Sequence, residues 1–204
     1  LTLFDKYEST NMTIGENSII LFKILSTRDK CQNIEIQCNR DADKLLIRFY
    51  SDNKSIFDKT FEMPLIDIDA EFMSIPTIDY QAEFSLPSTN FANLINQLKM
   101  FGESMEIECS EEKIVLYSDS QDYGKMSAEI SIDELTSFVI DEGEQLKMSF
   151  SLSHLHYISQ FHKLSKEVEL KFKHNYPIQI VYNLGDVDTT LRFFLAPKIS
   201  DDDE

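Results

Sequence analysis

The sequence predicts an α+β fold of repeated β-α-β-β units, with the helices on one face of antiparallel sheets. Two observations carry this. Three stretches of the chain superpose as a helical run, a short gap and two strands joined by a polar turn. The strands alternate apolar and polar residues, while the clearest helix repeats its apolar residues near every 3.6 positions.

The first copy places a helix over Asn17 to Leu25, then strands at Ile34 to Cys38 and Leu45 to Asp52. The second has its helix from Phe91 to Leu98 and strands at Met105 to Cys109 and Ile114 to Asp119. The third runs from Leu155 to Phe161, then Val168 to Phe172 and Ile178 to Asn183. A strand is expected ahead of each helix, at Ala82 to Leu86 for the second copy and Leu146 to Leu152 for the third. Ser88 and Ser153 are the expected N-caps, because a hydroxyl accepts from the free amides of a first turn. In the second helix Phe91, Leu94, Ile95, Leu98 and Phe101 form an apolar stripe, which is the pattern of a helix packed on a sheet. Asn93, Asn96, Gln97 and Lys99 remain on or near the other face.

Between the first two copies, Pro64 and Pro76 bracket alternating apolar and acidic residues. Proline removes a ladder donor, which argues against a central strand. An extended surface linker and an edge strand packed on the core both fit. The domain reading is 1–63 as the remainder of a first domain, 64–80 as a connecting loop and 81–204 as a second domain. The opening Leu1-Thr2-Leu3 reads as the interior of a strand, so an N-terminal segment is expected to precede it.

The chain has 204 residues and a net charge of −17, which argues against a surface wholly committed to phosphate. A local patch is still allowed. The windows 17–28, 88–102 and 150–166 contain no Asp or Glu, although acids make up 36 of the 204 residues. They do contain Lys23, Arg28, Lys99, Lys163, Lys166, His154, His156 and His162. Exposed helix faces ordinarily mix both signs. Three related helices avoiding one sign point to a common surface that faces a polyanion. So few cations give weak, salt-sensitive contact, so enclosure would have to do what affinity does not.

No phosphate-binding glycine loop, GxSxG elbow or Cys-His pairing is present, and no enzyme is expected. His154, His156 and His162 are poorly spaced for zinc. The acidic end Asp201 to Glu204 lacks the glycine-containing loop of a calcium site. No cofactor or metal is expected. Cys31, Cys38 and Cys109 read as buried thiols. No apolar run reaches the length of a membrane span, so no membrane partner is expected.

Leu195-Ala196-Pro197-Lys198-Ile199 followed by acids resembles the ending of the proliferating cell nuclear antigen family, the eukaryotic-type DNA sliding clamps. The stretch holding Asp67-Ile68-Asp69, Met73-Ser74-Ile75-Pro76 and Tyr80 is similar to that family's interdomain connecting loop. Phe91-Ala92 opening a helix, and Asn17 to Leu25 with its lysine, agree in order and spacing.

The resemblance implies a sliding-clamp fold of four copies, the first of which would lie before this sequence. It also implies a ring of three identical subunits around duplex DNA, bound without regard to sequence, in the nucleus or a viral replication compartment. DNA polymerase, clamp loader, nuclease and ligase would dock through a short apolar and aromatic motif. Carried over by position, the docking groove is Met73, Ser74, Ile75, Pro76 and Tyr80 with Pro177, Phe194, Leu195, Ala196, Pro197, Lys198 and Ile199. The DNA-facing residues are Lys23, Asn93, Asn96, Lys99, His156, Gln160 and Lys163, several of them neutral where the family is usually basic. The subunit edges are Lys59, Phe61 and Met63 on one strand and Tyr123, Lys125 and Ser127 on the other. Glu111 occupies the position of a lysine that many members modify, with Lys113 nearby. The other reading is a clamp-fold interaction protein that does not encircle DNA.

Overall fold

The computed structural model describes residues 4–8, 12–68, 77–185 and 189–198. The chain divides into two compact units, Leu1–Ile75 and Pro76–Glu204, and each is described separately.

In the first unit, helix α1 (Ser18–Leu25) begins at Asn17, whose side-chain oxygen accepts from the amides of Ile19 (3.0 Å) and Ile20 (3.3 Å). This is the capping that frees a first turn from unpaired donors. Strands β1 (Asn33–Gln37), β2 (Lys44–Tyr50) and β3 (Lys59–Pro64) form an antiparallel sheet in that order. Leu45, Ile47 and Phe49 alternate along β2 and are buried with Met63 and Ile24. Ile19 and Phe22 of α1 stand exposed. The strand expected ahead of α1 is not formed in residues 12–16, which make only the single bridge Gly15 to Ile66. A Cβ at Gly15 would lie 2.2 Å from the Ile66 carbonyl oxygen, so the close approach admits only glycine.

That bridge revises the reading of the proline-bracketed segment. Pro64 closes β3 opposite Lys44. Leu65 then donates to the Asp43 carbonyl and Ile66 to that of Gly15. Proline is tolerated there because β3 is an edge strand.

The second unit contains β4 (Ala82–Pro87), α2 (Ser88–Leu98), β5 (Ser104–Cys109), β6 (Lys113–Ser120), β7 (Gly124–Ser131) and β8 (Ser137–Ile140). It continues with β9 (Leu146–Ser151), α3 (Leu152–Ser159), a 3-10 stretch Gln160–Lys163, β10 (Glu167–Phe172), β11 (Ile178–Asn183) and β12 (Thr190–Leu195). One sheet has the order β12-β11-β10-β4-β8 and the other β7-β6-β5-β9. The two copies therefore exchange their leading strands. β4, which leads into α2, pairs with β10, and β9, which leads into α3, pairs with β5.

Phe84 stacks on Phe172 at 5.4 Å, and Phe150 meets the same ring at 6.2 Å. The predicted stripe faces this core: Phe91, Ile95 and Leu98 are buried, and Leu94 packs against it.

Neither expected serine cap is one. Ser88 is the first residue of α2 after Pro87, and Ser153 lies inside α3, which starts after Ser151. The Ser88 hydroxyl instead donates to the carbonyls of His162 (3.0 Å) and Ser165. A cap needs an extended residue placed before the turn, and both serines have already entered the helix. The cysteines also differ from expectation. Cys109 is buried, whereas Cys38 is half-buried and Cys31 exposed.

Candidate functional site

Helices α2 and α3 pack beside each other and present the polar residues singled out from the sequence. Asn93, Asn96, Lys99, Gln160 and Lys163 are exposed and His156 is half-buried. Nδ1 of His156 lies 2.7 Å from Oδ1 of Asn96, joining the two helices. Gln160 turns its amide back to the His156 carbonyl at 3.4 Å. None of the ion pairs among the described residues involves Lys99 or Lys163. The acids of this unit pair with cations on the strands instead, as in Lys113–Glu129, Lys147–Glu108 and Lys171–Glu83. In the first unit, Lys23 is exposed in the last turn of α1, where a cation favours the helix C-terminus.

Sequence reasoning passed over the apolar residues of this layer. Met100, Tyr157 and Leu164 are more than half exposed. For Met100 the signal was an apolar position off the stripe of α2.

A second surface lies on the five-stranded sheet. Cross-strand register aligns Glu83, Lys171, Gln179 and Phe194 in one row, and Ser85, Glu169, Val181 and Arg192 in the next. Lys171 bonds Glu83 at 2.7 Å and Glu169 at 3.2 Å. Burial lowers the Lys171 pKa, but its hydrogen bonds to the two carboxylates outweigh this and hold it above the usual lysine value. Tyr80 is half-buried. Burial, and more weakly the charge of Glu83, push its phenol up against the opposing charges of Lys171 and Arg192. Gln179 and Val181 are buried although they alternate along β11 with the core residues Ile178, Ile180 and Tyr182.

Phe194 is exposed on that face and Pro177 half-buried at the start of β11. Leu195, the next residue along β12, packs against the core, because a strand turns successive side chains to opposite faces. Ala196 is exposed and Pro197 half-buried. Lys198 is tied elsewhere: its amide donates to the Ser149 carbonyl at 2.8 Å and its ammonium to the Ser104 hydroxyl. Met73, Ser74, Ile75, Pro76 and Ile199 lie outside the described residues.

β3 and β7 are both edge strands. The residues singled out on β3 lie on its inward face. Met63 is buried, Phe61 packs on Phe49 at 5.5 Å, and the Lys59 ammonium is held by Asp29 at 2.8 Å. Thr60, Glu62 and Pro64 are the exposed alternates. On the β7 side, Tyr123 is exposed in the turn before the strand, Lys125 lies 4.2 Å from the centre of the Tyr117 ring, and Ser127 is exposed.

A family model, proliferating cell nuclear antigen, C-terminal domain, matches residues 74–198. The chain belongs to this family. It is a protein of sliding-clamp type, and its antiparallel sheets with few helices fit the sliding-clamp fold. Members of the proliferating cell nuclear antigen family are processivity factors without enzymatic activity of their own. Among the described residues no helix is long and apolar enough to cross a membrane. Among the described residues no group of three or more His, Cys, Asp or Glu is placed to hold a metal ion.

Proposed function

We propose that this chain is a subunit of a ring-forming DNA sliding clamp that encircles duplex DNA and tethers polymerases and repair enzymes to it. The observation that carries the reading is the acid-free layer of α2 and α3 in a chain of net charge −17. Asn93, Asn96, Lys99, His156, Gln160 and Lys163 would meet the phosphate backbone, with Lys23 contributing from the first unit. Such contacts are independent of base sequence and weaken with salt. Mobility along DNA then follows from loose contact, with retention supplied by ring closure.

The ring would be a homotrimer closed by strand pairing between the edges of β3 and β7, which removes two open sheet edges. Thr60, Glu62 and Pro64 are the side chains on the outward face of β3. Docking partners, among them polymerase, clamp loader, nuclease and ligase, would place an apolar and aromatic segment against Tyr80, Pro177 and Phe194. Met73 to Pro76 and Ile199 are proposed parts of the same docking surface. The setting is the nucleus, or a viral replication compartment.

Two measurements test this. Light scattering coupled to size exclusion is expected to give three chains per particle at micromolar concentration, and a stable monomer overturns the ring. Replacing Lys99 and Lys163 by Glu is expected to shorten the products made by a clamp-dependent polymerase. Unchanged product length overturns the DNA-facing layer.

A further inference from the structure

The bond between Asn96 and His156 does more than join two helices. The amide oxygen of Asn96 is an acceptor, so the imidazole nitrogen 2.7 Å away carries the proton. In the neutral ring that fixes the second nitrogen, Nε2, as the bare one. Among the described residues Nε2 of His156 has no hydrogen-bond partner. When the ring takes up a proton, it is this nitrogen that becomes a donor, and the ring becomes a cation.

The surroundings leave that charge uncompensated. On α3 itself the titratable neighbours are His154 and Tyr157, and the 3-10 stretch adds His162 and Lys163. From α2 the charged group is Lys99. From β9 it is Lys147, which Glu108 already engages at 3.0 Å. Glu103, in the loop before β5, meets the start of α3 through its backbone carbonyl, which accepts from Leu152. None of the described ion pairs reaches the helix layer. An external anion is therefore the natural partner for a protonated His156.

We propose that His156, oriented by Asn96, is a proton-dependent contact to nucleic-acid phosphate, so that the α2–α3 layer grips duplex DNA more firmly as pH falls. The proposal rests on the DNA-facing reading above and adds to it a residue with a distinct signature. Histidine is the side chain that changes charge between about pH 5 and 8. One added phosphate contact raises affinity and steepens the salt dependence by about one counterion. Linkage demands the reverse effect as well: bound duplex raises the pH at which His156 titrates.

The test uses the full chain and a fluorescein-labelled duplex of about 30 base pairs at low salt, read by anisotropy from about pH 8 to about pH 5.5. The wild type is expected to tighten about fivefold over that range. His156→Gln is expected to lose most of this gain, and His174→Gln, in the exposed turn after β10, to retain it. The histidine ring resonances of the wild type, followed by NMR, are expected to show His156 titrating at higher pH once duplex is added. Asn96→Ala is expected to reduce that displacement.

A pH-independent affinity, a full gain in His156→Gln, or an unmoved His156 titration each overturns the proposal. If Lys99→Glu with Lys163→Glu still weakens binding in those cases, the DNA-facing layer stands without it. If that pair of substitutions has no effect, the DNA-facing reading itself falls.

Discussion

The hydroxyl of Ser88, at the start of α2, donates to the backbone carbonyls of His162 and Ser165, more than seventy residues away. It locks the beginning of one repeat's helix to the end of the other's. The serine is buried, so its loss takes from these part-buried carbonyls the hydroxyl proton they share. Ser88→Ala is expected to destabilise the second unit by about 1–3 kcal/mol, seen as a lower urea midpoint with an unchanged slope. A change within a few tenths of a kcal/mol would show that these carbonyls find other donors.

Gly102 packs against the end of β6. A Cβ there would lie 2.6 Å from the Ser118 hydroxyl oxygen and 2.8 Å from the Asp119 carbonyl. Gly102→Ala is expected to cost about 1–3 kcal/mol by overpacking. Ser118 is fully buried, and its hydroxyl has no hydrogen-bond partner among the described residues. Ser118→Ala alone should be neutral or stabilising, since it removes an unpaired polar atom. Combined with Gly102→Ala it should recover only part of the loss, because the Asp119 carbonyl still blocks the methyl group. Thermal melts of the two single variants and the double variant decide this.

Alkaline pH is expected to weaken the second unit for a definite reason. Burial pushes the Cys109 thiol from an ordinary 9.0 up to about 11 and drives the Tyr182 phenol well above its ordinary 10.0. The folded state thus holds protons that the unfolded chain releases, and stability falls as pH rises past the unfolded values. These two groups cost nothing below about pH 9 and oppose folding increasingly above it. Urea midpoints measured from neutral pH to about pH 10.5 should decline. Tyr182→Phe and Cys109→Ala should each flatten the decline, although Tyr182→Phe also gives up the bond to the Ile158 carbonyl. An equal slope in both variants would assign the effect to other groups.

The outer face of the five-stranded sheet offers a fourth test. Phe194 stands exposed in a row with Gln179 and Lys171. If it supports a docked apolar motif, Phe194→Ala should weaken a fluorescent peptide carrying such a motif by at least 1 kcal/mol, while melting changes little. Leu195→Ala should do the opposite, because that side chain packs on the core. Equal effects of the two on peptide affinity would place the docking surface elsewhere.

Much of the fold was legible in the chain because alternation and helical stripes report which face of an element is buried. Phe91, Ile95 and Leu98 show this on α2, and Leu45, Ile47 and Phe49 on β2. Periodicity does not name the partner. Nothing local announces that β4 pairs with β10, or that Ser88 bonds to carbonyls so distant in sequence. The same limit governs the candidate site. Charge pattern identified the helix layer, but the bond between Asn96 and His156 joins positions 60 residues apart. On β3, position along the edge was readable but the inward orientation of Lys59, Phe61 and Met63 depends on register, and a shift of one residue reverses it. Pro64 looked like the start of a linker because its pairing partner Lys44 is also remote.

The exchanged leading strands have a consequence for how the second unit comes into being. Ala82 pairs with Phe172, and Ser104 with Ser151. On a ribosome, β4 emerges long before β10 exists to receive it, and β5 waits in the same way for β9. Contacts so distant in sequence are slow to form, and strands left open meanwhile are prone to aggregate. Neither repeat can finish its sheet alone. A stop codon placed after β8 would leave β4 without its β10 partner and β5 without β9, so the nascent chain is most in need of protection just before its last strands are made.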